Sequence, residues 1–207
     1  KFEEKSGFKV NEFAADAKVS GEQIRLKDLA IRSDQSNINA DITFDYDSFP
    51  DFDEFTHNIR WNANFRQTTV SFSDVSYFAD DLKGWDKHVE ITGNFKGTVN
   101  RFKGKNVTIA WGDNSFFRGN VGMNGLPSWD DTYMDFLADE IRTDKKDIEW
   151  IQLPPFDSGD HIEVPENLAA LGTVKFKGKF TGFASDFVAY GSINTDIGVI
   201  NSDINLK

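Results

Sequence analysis

Ile38, Ala40, Ile42, Phe44 and Tyr46 alternate with Asn39, Asp41, Thr43 and Asp45. That period of two constrains this chain more than any other feature. Successive side chains of an extended strand point to opposite faces, so the stretch has one apolar and one polar face. The same pattern returns in Ile59, Trp61, Ala63 and Phe65, interleaved with Arg60, Asn62 and Asn64. It returns again in Val107, Ile109 and Trp111, and in Phe117, Gly119, Val121 and Met123. Strands of this kind belong to antiparallel sheets that are wet on one side. Helical periodicity is confined to two stretches. Ser76–Leu82 has Asp74 as its N-cap, and Pro165–Leu171 has Pro165 at its first position and Gly172 as its stop. Loops are marked at 48–51, at 125–128 around Pro127, and at 154–159 from Pro154. The expectation is an all-β fold with few short helices.

The chain also repeats itself. Residues 91–98 read ITGNFKGT and residues 176–183 read FKGKFTGF, placing Gly93 and Gly178 85 residues apart (178 − 93). Phe102 and Phe187 match at that offset, and each copy runs on into a second alternating strand, 107–111 and 188–195. A weaker third unit runs from Ile24 and Leu26 through Ile38 to Tyr46. Hairpins that cannot each bury a face alone suggest a stacked β-array; the bland alternative is chance similarity between amphipathic strands. The whole of 1–207 is expected to be one β-rich repeat segment of a larger protein, with sub-units 1–85 and 86–207. Gly93, Phe95 and Gly97 fall on one face. Glycine in a strand marks a bulge, a bend or a close approach, and small residues beside a large ring leave troughs. In a sandwich the facing sheet fills them; in an open sheet a ligand chain does.

Bulk properties narrow the function. At 207 residues the chain is one domain or two small ones, and a net charge of −11 repels nucleic acid and anionic bilayers. Absence of cysteine rules out disulfides, thiolate metal sites and thiol nucleophiles, and no apolar run is long enough to span a bilayer. Lys1–Gly7 is polar, so any targeting element is expected upstream. His57, His88 and His161 are dispersed in polar surroundings and read as surface residues. No catalytic constellation, phosphate loop or metal-spaced pair is visible, so the chain is read as no enzyme, with no cofactor. The acidic stretch 45–54 is the one metal candidate, for calcium, against the plainer reading of a solvated loop. Phe49, Phe52 and Phe55, and the pair Phe116 and Phe117, are candidate carbohydrate platforms against the plainer reading of core.

Several runs together resemble one family. These are 70–82 (VSFSDVSYFADDL), 91–99 (ITGNFKGTV), 124–127 (NGLP), 171–182 (LGTVKFKGKFTG) and 191–198 (GSINTDIG), covering most of 60–207. Their order is similar to that in the TamB family, the AsmA-like large subunit of the translocation and assembly module. The resemblance implies an elongated, curled, taco-like open sheet with an apolar interior. It implies a periplasmic protein anchored in the inner membrane by a segment outside this chain. It further implies a hydrophobic groove carrying phospholipid acyl chains towards the outer membrane, with or without a role in outer-membrane protein assembly and secretion beside a barrel partner. The expected groove residues are Ile91, Phe95, Val99, Phe176 and Phe180. Two features depart from the family. The loops near Pro127 and Pro154 interrupt the hairpins and would partly cap the trough. The chain's end differs from the family's partner-binding region, leaving any barrel contact to other parts of the protein. The alternative is a surface-exposed β-sandwich binding module for glycans or proteins. A polysaccharide-lyase β-helix fits poorly, lacking an acidic-plus-basic cluster.

Overall fold

The computed structural model describes residues 2–3, 7–128, 130–153 and 155–206. Its strands are β1 (Phe2–Glu3), β2 (Lys9–Val10), β3 (Glu12–Val19), β4 (Gln23–Arg32), β5 (Asn37–Asp45), β6 (Arg60–Ser71), β7 (His88–Gly97), β8 (Arg101–Trp111), β9 (Ser115–Asn124), β10 (Tyr133–Thr143), β11 (Val174–Gly182), β12 (Phe187–Thr195) and β13 (Gly198–Leu206). β3 to β13 form one open eleven-stranded antiparallel sheet in which spatial order is sequence order; β1 and β2 form a separate pair. The fold is all-β, as the alternation predicts.

Residues directly opposite each other on neighbouring strands share a face, and they line up in rows across the sheet. One row runs Ile42, Ala63, Phe95, Gly104, Val121, Phe136, Phe180, Ala189. Nearer the opposite end runs Ile91, Ile109, Phe117, Ile141, Phe176, Ile193, Ile200. Between them lies a row of smaller residues, with Ala40, Phe65 and Gly93 on one side and Val107, Gly119, Ala138, Gly178 and Gly191 on the other. All belong to the apolar face.

The register shifts in every pairing from β3–β4 to β10–β11, always near the small-residue row. The extra residues fall on alternate strands. Asp28, Gln67 and Asn106 sit there at φ of 49°, 39° and 52°, spaced 39 residues apart (67 − 28 and 106 − 67). Bulges bend a strand and tighten its twist, so a line of bulges curls the sheet along the strand direction. Polar side chains of the next strand satisfy the displaced backbone: the N–H of Asp28 donates to Asp41 (2.8 Å) and that of Asn106 to Asn120 (3.1 Å). Gln67's carbonyl accepts from Asn39 (3.0 Å). The Asp41 carboxyl is held below its ordinary value, chiefly by that Asp28 N–H and then by Arg66 against the opposing effect of burial.

The core is this face packed against itself. Phe95, Val107, Phe117 and Ala138 are buried, surrounded by Trp61, Phe65, Ile109 and Phe136 from the same face. Phe117 and Val121, the ladder partner of Phe136, are four residues apart on β9, about 13 Å along an extended strand. Yet the Phe117 and Phe136 rings meet at 6.1 Å, leaning together across the small-residue row.

The 85-residue repeat is real in space. Gly93 and Gly178 share one row, Phe95 and Phe180 a second, and Gly97, Phe102, Gly182 and Phe187 a third, with Phe95 and Phe180 both on the apolar face. The bulge in β8 absorbs one residue, so beyond it Val107 aligns with Gly191 at 84 (191 − 107). The third unit is out of phase. It is β4–β5, whose turn closes at the opposite end of the sheet from those of β7–β8 and β11–β12. β6 and β7, which flank the 85/86 position, pair directly with each other.

The short helices differ in detail. Ser76–Leu82 does not form one helix: a single turn, Phe72–Val75, comes before it, and within it only Asp80–Leu82 forms a 3-10 turn. Asp74 lies inside the first, its carboxylate accepting from the Ser33 hydroxyl rather than capping a helix. The second stretch forms as a 3-10 helix, Glu166–Leu171, with Pro165 as its cap and Gly172 ending it at φ 61°. Turns at Phe49–Glu54, Phe55–Asn58 and Lys145–Glu149 were not signalled by apolar periodicity.

Candidate functional site

Ile91 and Phe95 on β7, and Phe176 and Phe180 on β11, share the apolar face in two rows of the ladder. Val99 does not join them. β7 ends at Gly97, and Val99 lies in the connection to β8, because the positive φ of Gly97 (144°) starts the turn two residues earlier.

The glycines on this face do not leave open troughs. A Cβ on Gly104 would lie 2.9 Å from Cε1 of Phe95 and 2.7 Å from methyls of Val107 and Val121. A Cβ on Gly178 or Gly191 would lie 2.7 or 2.6 Å from the Phe176 ring. Each ring lies down over a neighbouring strand's glycine, so large and small residues complement each other across the ladder. The gaps are filled by the same phenylalanines that border them.

Exposure therefore changes across the sheet rather than between adjacent residues. Phe95 and Phe117, on the central strands, are each 8% exposed. Phe176, Phe180 and Phe187 are half-buried, with Phe180 stacked on Phe136 at 5.7 Å and against Phe187 at 4.6 Å. On the outermost strands Phe13, Val19 and Ile200 are 60%, 65% and 52% exposed. The open part of the apolar face lies towards the two edges.

Long connections join the strands at both ends of the sheet. At one end, excursions 72–87 and 144–173 meet where the Trp85 ring is sandwiched between Phe72 (3.6 Å) and Phe156 (4.6 Å). The second excursion is pinned by Asp147, whose buried carboxylate accepts from the Asp113 N–H (2.9 Å), the Asn114 N–H (2.9 Å) and the Ser115 hydroxyl (2.7 Å) in the β8–β9 turn. Burial alone would raise this carboxyl, but those donors outweigh it and hold it below its ordinary value. At the other end, Asn100 joins excursions 46–59 and 125–132, donating its N–H to Thr56 and its side chain to Leu126, both at 2.9 Å. The Pro127 loop thus sits at one end of the sheet; Pro154 lies outside the described residues. Asp147 gave no sequence signal beyond Asp144, whose side chain caps the turn that carries it.

His57, His88 and His161 are exposed and on separate segments. Among the described residues no three His, Asp or Glu side chains converge as a metal-binding group. In the acidic stretch, Asp51 accepts from the Asp47 and Ser48 N–H groups, which lower its pKa, and Asp47 pairs with Arg60 at 3.2 Å. Phe49 and Phe52 both pack on Tyr46 and Phe55 packs on Phe44, with Phe49 57% exposed. Phe116 and Phe117 cannot form one platform, since consecutive strand residues face opposite sides; Phe117 is core and Phe116 carries Arg118 at 5.1 Å.

Comparison with known proteins finds no family model, curated protein or solved structure that matches this chain.

Proposed function

We propose that this chain is a β-rich segment of a TamB-like cell-envelope protein, and that its apolar face holds phospholipid acyl chains on their way towards the outer membrane. The carrying observation is one apolar face running through eleven strands with no second sheet laid over it among the described residues. A β-sandwich binding module needs such a second layer, and among the described residues only the two-residue strands β1 and β2 lie outside the sheet. Apolar surface of this extent is seldom left bare in a monomer, and each buried methylene contributes about 0.8 kcal/mol. Acyl chains would lie over Phe176, Phe180 and Phe187, with Phe95 and Ile91 as floor. The periplasmic setting, an inner-membrane anchor and any barrel partner would belong to other parts of the protein; no helix among the described residues is long and apolar enough to cross a membrane.

The test is crosslinking with a photoactivatable phospholipid, on wild type and Phe180→Asp, with melting temperature measured alongside. At half-buried Phe180 the new carboxylate can reach water, so the fold should persist while lipid capture falls. Equal capture by the variant, or none by wild type, overturns the reading.

A further inference from the structure

We propose that the polar face of β7–β8 carries a binding site for a phosphate-bearing anion, on the side of the sheet opposite the acyl-chain surface. Arg101, Lys103 and Lys105 alternate along β8, interleaved with Phe102 and Gly104 of the apolar face. Lys96 of β7 lies directly opposite Lys103. Like charges in that position destabilise a sheet. No carboxylate lies within ion-pairing distance of any of the four among the described residues, although Arg60, Arg66, Arg118 and Lys179 on the same sheet each have one. Their neighbours across the ladder are neutral hydrogen-bonding groups instead: Asn62 opposite Lys96, Asn94 opposite Lys105, and Asn124 opposite Arg101.

The cluster is also shaped. A cleft of about 450 Å³ is bordered by Lys96, Arg101 and Lys103 on one side and by Tyr133 and Asp135 on the other. Its floor is Gly122, directly opposite both Lys103 and Asp135, where the absence of a side chain leaves the depression. Asp135 is itself paired with Lys179 at 3.3 Å, so it does not neutralise the lysines. Lysine and arginine donors converging on one hollow suit phosphate oxygens. The chain as a whole carries −11, so a long polyanion leaving the cleft would meet repulsive surface. That selects a compact phosphate group over a nucleic acid.

The experiment titrates the protein with inorganic pyrophosphate at low and physiological salt by calorimetry. In parallel, co-flotation is measured with phosphatidylglycerol vesicles against phosphatidylcholine vesicles. Three variants are compared: Lys96→Gln/Lys103→Gln, Gly122→Val, and Lys177→Gln as a control on the same face. Saturable binding that weakens with salt is expected. It should fall about ten-fold or more in the double variant, where two donors are lost, and likewise in Gly122→Val, which fills the floor at unchanged charge. Lys177→Gln should stay near wild type. Melting temperature should hold or rise in the double variant, because the opposed charges are gone. Binding to pyrophosphate assigns the site to a free phosphorylated molecule; binding to phosphatidylglycerol vesicles alone assigns it to a lipid headgroup. The proposal is overturned if neither binds, or if Lys177→Gln weakens binding as much as the other variants.

Discussion

Asp147→Ala should detach the 144–173 excursion from the β8–β9 turn, and the size of the effect follows from the geometry. The substitution removes the acceptor of two backbone N–H groups and one hydroxyl at 2.7–2.9 Å. A hydrogen bond to a charged group contributes about 1.5–3 kcal/mol, and neighbouring losses do not add fully. A total of about 3–4 kcal/mol is expected, which at about 2–4 °C per kcal/mol for a chain of this size lowers Tm by about 6–16 °C. Gly112 supplies an internal control. Its φ is 59°, and a Cβ there would stand 2.2 Å from Oδ1 of Asp147. In wild type, Gly112→Ala therefore meets the carboxylate as well as the left-handed backbone cost of about 1–2 kcal/mol. In the Asp147→Ala background only the backbone cost remains, so the double variant should be less destabilised than the sum of the singles. pH adds a third arm. The folded pKa of Asp147 is lowered, so its contribution is complete above the ordinary carboxylate value near about pH 4 and disappears as pH falls through the lowered folded value. The gap in Tm between wild type and Asp147→Ala should be full at neutral pH and shrink in strong acid. Thermal melts of the four proteins at several pH values decide the matter. Strict additivity, or an Asp147→Ala protein melting within about 2 °C of wild type, would refute the clamp.

Phe95→Ala should cost about 3–5 kcal/mol, as for a buried phenylalanine, and Phe180→Ala distinctly less; chemical denaturation that ranks them the other way would contradict the exposure gradient. Gly104→Ala should destabilise by about 1–3 kcal/mol through overpacking, since the new methyl meets Phe95, Val107 and Val121; a neutral result would mean the Phe95 ring does not lie there. Gln67→Gly should be neutral to stabilising by up to about 1 kcal/mol, relieving a left-handed glutamine, whereas Gln67→Val should be clearly destabilising; equal melting temperatures for the two variants would argue against the bulge.

Much of the fold was legible because period-two alternation is a local property of the chain. Phe117, Gly119, Val121 and Met123 land on one face as the spacing predicts, and the repeat fixes Phe95 and Phe180 in one row. What escaped is non-local. A bulge inserts one residue without breaking apolar spacing for long, and Gln67 carries no mark of a left-handed backbone. Phe95 and Gly104 are nine residues apart, so nothing local indicates that the ring covers the glycine. The cations of β8 were visible at a spacing of two, but their common hollow depends on Gly122 from the next strand. Asp147 lies 32 residues from Ser115, and no pattern in either segment points to the other.

Eleven is an odd number, and that has a consequence for assembly. In a meander every strand reverses its predecessor, so β3 and β13, the outermost strands of this sheet, run in the same direction. Laid side by side by simple translation, two copies would meet along a parallel seam, with slanted and slightly weaker hydrogen bonds. Related by a two-fold axis, β13 against β13 or β3 against β3, they would meet antiparallel, with their apolar faces on the same side. A longer meander that repeats units of this size all in one orientation keeps its antiparallel pairing only if each junction adds an odd number of further strands. Strand parity therefore sets how such segments can be joined before any side chain at the seam is considered.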